Sequence, residues 1–221
     1  SGTRIEESIG YELGVRTQKD GASTEIAAFL SDYDELTGSN AGLGGLAFDD
    51  MLDGTNAGEA EVKGIEFLQS YTANADSSVA IPMFVSATYT DATLTAPLSA
   101  GGEGDILAAD EPGATIPYVP EWKFSVGAGL SAENWGLSAI GSYRSDMYAS
   151  AKNLEVSNGR EGKIDGGFIL DLSAHYKLSD TTRLIGGVHN VLDEVLTVSR
   201  LPDGPRANAP REFYIGFELQ W

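Results

Sequence analysis

The 221-residue sequence has no cysteine, two histidines and three methionines, and only 14 lysines and arginines against 33 aspartates and glutamates. Without cysteine, neither a disulfide scaffold nor a thiolate metal site is possible. The formal net charge of −19 argues against nucleic acid as a partner, because counterion release needs clustered lysine and arginine. An acidic surface favours solubility or a cation-rich environment. No stretch approaches the roughly 20 apolar residues of a membrane-spanning helix, so a helical membrane protein is excluded. A membrane is not excluded, since a barrel strand needs only about 9 to 11 residues with one apolar face. The opening SGTRIEESIGY, residues 1–11, has no apolar signal-peptide core. Either the chain is mature or its true N-terminus is missing.

What the sequence has is period-two alternation in nine segments, at about 10–17, 23–34, 60–72, 79–93, 122–132, 135–147, 167–178, 182–192 and 211–221. The connections at 18–22, 74–78, 132–134 and 179–182 are short and made of turn-forming residues. Those at about 35–59, 94–121, 148–166 and 193–210 are long and rich in Gly, Asp, Asn and Pro. Short turns on one rim and long loops on the other characterise outer-membrane barrels.

The last segment is the clearest. Arg211, Phe213, Ile215, Phe217, Leu219 and Trp221 share one face, and Glu212, Tyr214, Gly216, Glu218 and Gln220 the other. Segment seven sets Phe168, Leu170, Leu172, Ala174 and Tyr176 against Ile169, Asp171, Ser173, His175 and Lys177. Segments five and six place Phe124, Val126, Ala128, Leu130, Trp135, Leu137, Ala139 and Tyr143 opposite a small, polar face. Ten such residues, tilted near 45°, cover about 23 Å, close to the apolar band of these barrels. Aromatics stand near segment ends, where an interfacial girdle needs them. A soluble antiparallel sandwich alternates equally well, but its connections do not sort into two rims.

With Trp221 at the periplasmic rim, parity places every short turn in the periplasm and every long loop outside. Nine strands with an open first edge do not make a complete bacterial barrel, because single-chain ones have even strand numbers and unpaired edges cannot face lipid. The expected fold is therefore an all-β, antiparallel, up-and-down transmembrane barrel, of which residues 1–221 supply about nine C-terminal strands.

Several stretches then carry a resemblance, in order: Tyr11-Glu-Leu-Gly-Val-Arg16, Gly64-Ile-Glu66, Pro117-Tyr-Val-Pro120, Gly187-Val-His-Asn-Val-Leu-Asp-Glu194, and the ending PREFYIGFELQW from Pro210 to Trp221. The chain resembles the C-terminal half of TonB-dependent receptors. The spacing from Val188 through Arg200 to Pro210-Arg211 is similar to the ferric dicitrate receptor branch. The resemblance implies a larger barrel of the 22-stranded type, integral in the outer membrane and engaged in energy-coupled uptake of a ferric chelate such as ferric citrate or another siderophore. It implies a plug domain and a TonB-contacting segment absent from this chain. It further implies Trp221 as the terminal aromatic read by the barrel-assembly machinery. The alternatives are a passive porin-like barrel and a soluble β-sandwich binding module.

No catalytic constellation or cofactor motif is present, so an enzyme is not expected. His175 and His189 lack metal-ligand spacing, and parity puts His175 in the lumen as a hydrogen-bonding residue. Asp49, Asp50 and Asp53 lack the alternation of a calcium loop and read as a solvated acidic loop. Gly14 and Gly64 would let bulky lumen groups approach the strand, and Asn190 and Asp193 would turn the chain at the loop rim. Anionic chelates need basic donors. Arg144, Lys152, Arg160, Lys163, Arg200 and Arg206 lie in or beside the long loops. Arg144, Arg200 and Arg206 flank the rim and are the expected ligand contacts.

Overall fold

The computed structural model describes residues 5–37, 56–96, 106–107, 109, 111–157, 159–201 and 204–220. In chain order the strands are β1 (Glu7–Lys19), β2 (Ala22–Thr37), β3 (Asn56–Ala73), β4 (Val79–Ala96), β5 (Trp122–Ala132), β6 (Trp135–Arg144), β7 (Met147–Tyr148), β8 (Lys163–Ile164), β9 (Gly167–Lys177), β10 (Thr182–His189), β11 (Thr197–Ser199), β12 (Arg206–Ala207) and β13 (Glu212–Leu219). Nine of them form one antiparallel sheet in the order β1-β2-β3-β4-β5-β6-β9-β10-β13. All nine expected segments are present and pair with their neighbours in sequence. The two remaining pairs, β7-β8 and β11-β12, lie in the long connections.

The turns follow from local chemistry. Between β1 and β2, Lys19 pairs with Ala22, and Asp20 and Gly21 take φ of 49° and 78°. Two left-handed residues make the tight hairpin whose twist matches that of its strands. Asn74 adopts φ of 53° and its carbonyl accepts the Ser77 amide, closing the next short turn.

Register shows what the alternation means. One row crosses seven strands through Val15, Ile26, Phe67, Ala87, Phe124, Tyr143 and Phe168, all apolar. The adjacent row, on the opposite face, runs through Arg16, Glu25, Leu68, Ser86, Ser125, Ser142 and Ile169. Because side chains alternate across a strand, the first row belongs to an outward apolar face and the second to an inward, largely polar one. Leu13 and Ile215 on the outward face are each 79% exposed, a face that water would not tolerate and lipid does. On the inward face, Arg16 pairs with Glu25 at 2.6 Å and Arg183 with Glu218 at 3.3 Å. Lumen-facing aromatics lie on cross-strand glycines: a Cβ on Gly64 would stand 2.7 Å from the Phe29 ring, and one on Gly127 would stand 2.2 Å from Phe84. A Cβ on Gly14 would first meet the Ile26 carbonyl at 3.3 Å and the Ala27 Cβ at 3.4 Å rather than a ring.

The first four strands run a few residues beyond expectation, as at β3, which begins at Asn56 rather than at 60, whereas the sixth and eighth segments end short of it. The sixth segment was expected to run to Met147, but β6 stops at Arg144. Met147 instead buries its side chain with Ala149 and Ile164 in the loops. The eighth was expected to reach Leu192, but Asn190 takes φ of 50° and ends β10 at His189.

Strands β3 and β4 have 18 residues each and β6 only 10, so the wall at β3 and β4 is longer by about 26 Å of strand. On its inward side Ala60 and Leu94 bury against Ala151, with Tyr33, Leu36, Ala109, Ala114 and Ile116 around them. The long loops thus fold inward over the lumen side of the extended wall. Complete burial of Leu94 and Ile164 stabilises this packing by about 1.5 to 3 kcal/mol each.

Candidate functional site

The loops at the long-loop end are built outward from β4. Residues 113–116 run alongside it: Gly113 donates to the Leu94 carbonyl, Leu94 to Ala114, and Ile116 to Ala92. Asn153 then acts as a side-chain strand. Its Oδ1 accepts the Thr115 amide at 2.7 Å, and its Nδ2 donates to the carbonyls of Thr115 and Ser150. Tyr118 donates its amide to the Tyr148 carbonyl, joining the loop before β5 to the β7-β8 hairpin.

The 193–210 connection is rooted by asparagines. Asn190 is 3% exposed. It accepts the Glu194 amide and donates to the carbonyls of Glu194 and Ala209, while its own amide donates to Asp171. Asp193 takes φ of 57° and accepts the Arg211 amide. Both residues therefore turn the chain where the alternation ends. Asn208 accepts the Leu196 amide, and the Leu196 side chain fills the notch over Gly167.

The three arginines expected to contact ligand converge on the β11-β12 hairpin. Arg144, on the inward face at the end of β6, donates from Nη2 to the Thr197 carbonyl at 2.7 Å. Arg200 follows β11 directly and donates to the carbonyls of Gly159 and Lys163, each at 3.3 Å. Its amide donates to the Tyr118 hydroxyl at 3.2 Å. Arg206 pairs in register with Ser199 and is exposed.

Their electrostatics differ from those of the neighbouring lysines. Lys163 contacts Asp146 at 2.5 Å and Glu155 at 3.5 Å, and Lys152 contacts Glu161 at 2.6 Å. The hydrogen bond to Asp146 raises the Lys163 ammonium well above its ordinary range. The Tyr148 hydroxyl donates to Glu155 at 2.6 Å. That bond, with the Lys163 charge, lowers the Glu155 carboxyl, and the same bond to Glu155 raises the Tyr148 phenol although the Lys163 charge opposes it. Arg144, Arg200 and Arg206, by contrast, pair with no carboxylate among the described residues. In a chain of net charge −19, three guanidiniums with no carboxylate partner among the described residues thus gather at one hairpin, a chemistry suited to anionic oxygen donors.

Other expectations resolve individually. His175 faces the lumen, where its ring lies over Gly136; among the described residues it makes no hydrogen bond. His189 stacks on Tyr214 at 5.0 Å, with Asp171 3.6 Å from its Nδ1. No group of three His, Asp or Glu side chains among the described residues is arranged to hold a metal ion. Trp221, Asp49, Asp50 and Asp53 fall outside the described residues. Sequence reasoning missed Asn153 and Leu196, whose partners stand 38 and 29 positions away; nothing in local spacing marks them.

Comparison with known proteins decides the family. Residues 2–191 match the family model described as TonB dependent receptor-like, beta-barrel. The chain belongs to this family. TonB-dependent receptors are outer-membrane β-barrel proteins, and the nine-stranded sheet matches part of such a barrel. The ferric citrate transporter FecA in its unliganded form superposes with a TM-score of 0.74 at 21% identity, covering 96% of this chain and 31% of that one. The ferric yersiniabactin uptake receptor FyuA from Yersinia pestis gives 0.70 at 15%, covering 97% and 30%. The copper transporter OprC gives 0.66 at 12%, covering 99% and 32%. At these identities the likeness is one of fold. The chain spans less than a third of the length of these structures. No curated protein matches the chain.

Proposed function

We propose that this chain forms the ligand-binding wall of an outer-membrane receptor that imports a ferric chelate, such as ferric citrate or another siderophore complex, by TonB-dependent, energy-coupled transport. In this reading residues 1–221 are the C-terminal part of the barrel, and the plug and the TonB-contacting segment lie elsewhere in the whole protein. Trp221 is the aromatic read by the barrel-assembly machinery. The observation that supports the cargo class is the convergence of Arg144, Arg200 and Arg206 on one hairpin without a carboxylate partner among the described residues. Ferric chelates of carboxylates and hydroxamates present charged oxygens, and planar guanidiniums match them with two parallel hydrogen bonds. Arg206 offers its whole guanidinium. Arg144 and Arg200 offer the N–H groups that their loop carbonyls leave free.

Equilibrium binding of ferric citrate to the whole receptor tests the proposal. Replacing all three arginines with alanine is expected to weaken binding at least about tenfold, an effect of roughly 1.4 kcal/mol. Replacing Lys152 and Lys163 with alanine is expected to change it less than about twofold, because their charges are already spent on Glu161, Asp146 and Glu155. Equal effects from the two sets would remove the arginine site, and no binding by the unaltered receptor of either ferric citrate or a ferric hydroxamate would remove this cargo class.

A further inference from the structure

Arg200 occupies an unusual position. Its Nε is buried and has no hydrogen-bond partner among the described residues, and its two terminal nitrogens meet neutral backbone carbonyls at 3.3 Å. A guanidinium held this way keeps its full charge while collecting only neutral, long hydrogen bonds, about half as strong as those a carboxylate accepts.

The rest of the loop assembly is fastened differently. Residues 113–116 form a ladder along β4, and Met147, Ala149 and Ile164 bury their side chains against Tyr118. The root of the 193–210 connection is held by Asn190, Asn208 and the Arg144–Thr197 bond. Its tip, around residues 199–201, reaches the neighbouring loops through the Arg200 guanidinium and the Tyr118 hydroxyl. Between root and tip the β11-β12 register shifts from Thr197 to Ser199, a break in pairing at which a short hairpin bends.

We propose that Arg200 is an anion-operated latch: its guanidinium fastens the hairpin tip to the Gly159 and Lys163 carbonyls, and an incoming carboxylate-bearing ligand takes these donors and frees the tip. This rests on the cargo class proposed above. Exchange is favoured because the guanidinium trades two neutral acceptors for charged ones. The released tip carries Arg206 with it, since Arg206 pairs with Ser199. Arg200 thus both contacts the ligand and positions the second arginine.

These 221 residues hold no cysteine, so Val198→Cys, at a position 43% exposed, carries a single nitroxide in the whole receptor once any cysteine outside this chain is replaced. The probes are citrate and ferric citrate, with sodium chloride at matched ionic strength as control. The free protein is expected to give a largely immobilised spectrum, with the mobile fraction rising at least threefold on citrate and unchanged on chloride. Arg200→Gln is expected to be mobile from the start and insensitive to citrate. Arg200→Lys, which keeps the charge but cannot span two carbonyls, is expected to lie between and remains informative should the glutamine variant not fold. An unaltered spectrum in saturating citrate, or an Arg200→Gln tip as immobile as the original, would overturn the latch. Loosening by citrate without binding or uptake of ferric citrate or a ferric hydroxamate would instead remove the cargo class and leave the latch standing.

Discussion

Replacing Asn190 with alanine should open the loop root without unfolding the wall. The side chain is 3% exposed and makes three hydrogen bonds, to the amide and carbonyl of Glu194 and to the carbonyl of Ala209. At about 1 kcal/mol each these contribute roughly 3 kcal/mol. The carbonyl of Glu194 keeps the Asn208 amide group at 3.0 Å, which trims the loss to about 2 kcal/mol. Alanine at φ of 50° adds about 1 kcal/mol, because it lacks the short polar side chain whose local hydrogen bonds let asparagine occupy the left-handed region. The total, about 3 kcal/mol, corresponds to roughly 150-fold. Hydrogen exchange reads this locally. The amides of Asp193, Glu194 and Arg211, which donate to Asn190 or Asp193, should exchange about two orders of magnitude faster. Those of β5 and β6 should be unchanged. Asn190→Gly, free of the backbone penalty, should lose about 1 kcal/mol less. Exchange within threefold of the original in the alanine variant, or equal acceleration in the β5-β6 hairpin, would refute the reasoning.

Further outcomes follow from other parts of the molecule. Gly64→Ala places a Cβ 2.2 Å from the Tyr89 carbonyl oxygen, so it should lower the thermal midpoint by the equivalent of about 2 to 4 kcal/mol. Gly216→Ala, whose nearest neighbour is 3.5 Å away, should leave the midpoint within error. Glu25→Gln, which breaks an exposed ion pair with Arg16, should cost less than about 1 kcal/mol. The depressed Glu155 carboxyl binds its proton less readily folded than unfolded, so its contribution is present above the unfolded carboxylate range. It is lost as pH falls through the folded value. Exchange in residues 146–163 should therefore accelerate on acidification below the ordinary glutamate range, and Glu155→Gln should flatten that dependence.

The wall was legible in the sequence because its rule is local. Each strand repeats every second residue, and a few turn-forming residues, with Asp-Gly or Asn in three of the four cases, close each short end, so Phe124 and Ser125 disclose their opposite faces without knowledge of their partners. The loop assembly follows no such period. Leu94 meets Ala151 and Asn153 meets Thr115 across long separations, and Met147 mimics one more strand position while belonging to a loop core. The candidate arginines were legible as types placed near a rim. Their shared hairpin was not, since Arg144 reaches Thr197 across 53 residues. Nor did any pattern show that Lys152 and Lys163 are neutralised by carboxylates whereas Arg144, Arg200 and Arg206 meet none among the described residues.

The central claim is that one face of this sheet meets lipid and the other an aqueous lumen. Because these 221 residues hold no cysteine, single cysteines at Ala87, Phe124 and Tyr143, and at Ser86, Ser125 and Ser142, can be labelled in membranes with a fluorophore quenched by nitroxide lipids, after replacement of any cysteine elsewhere in the receptor. The account predicts strong lipid quenching at the first three and water-soluble quenching at the second three, alternating between neighbours such as Phe124 and Ser125. Uniform access of the water-soluble quencher to both sets would contradict it.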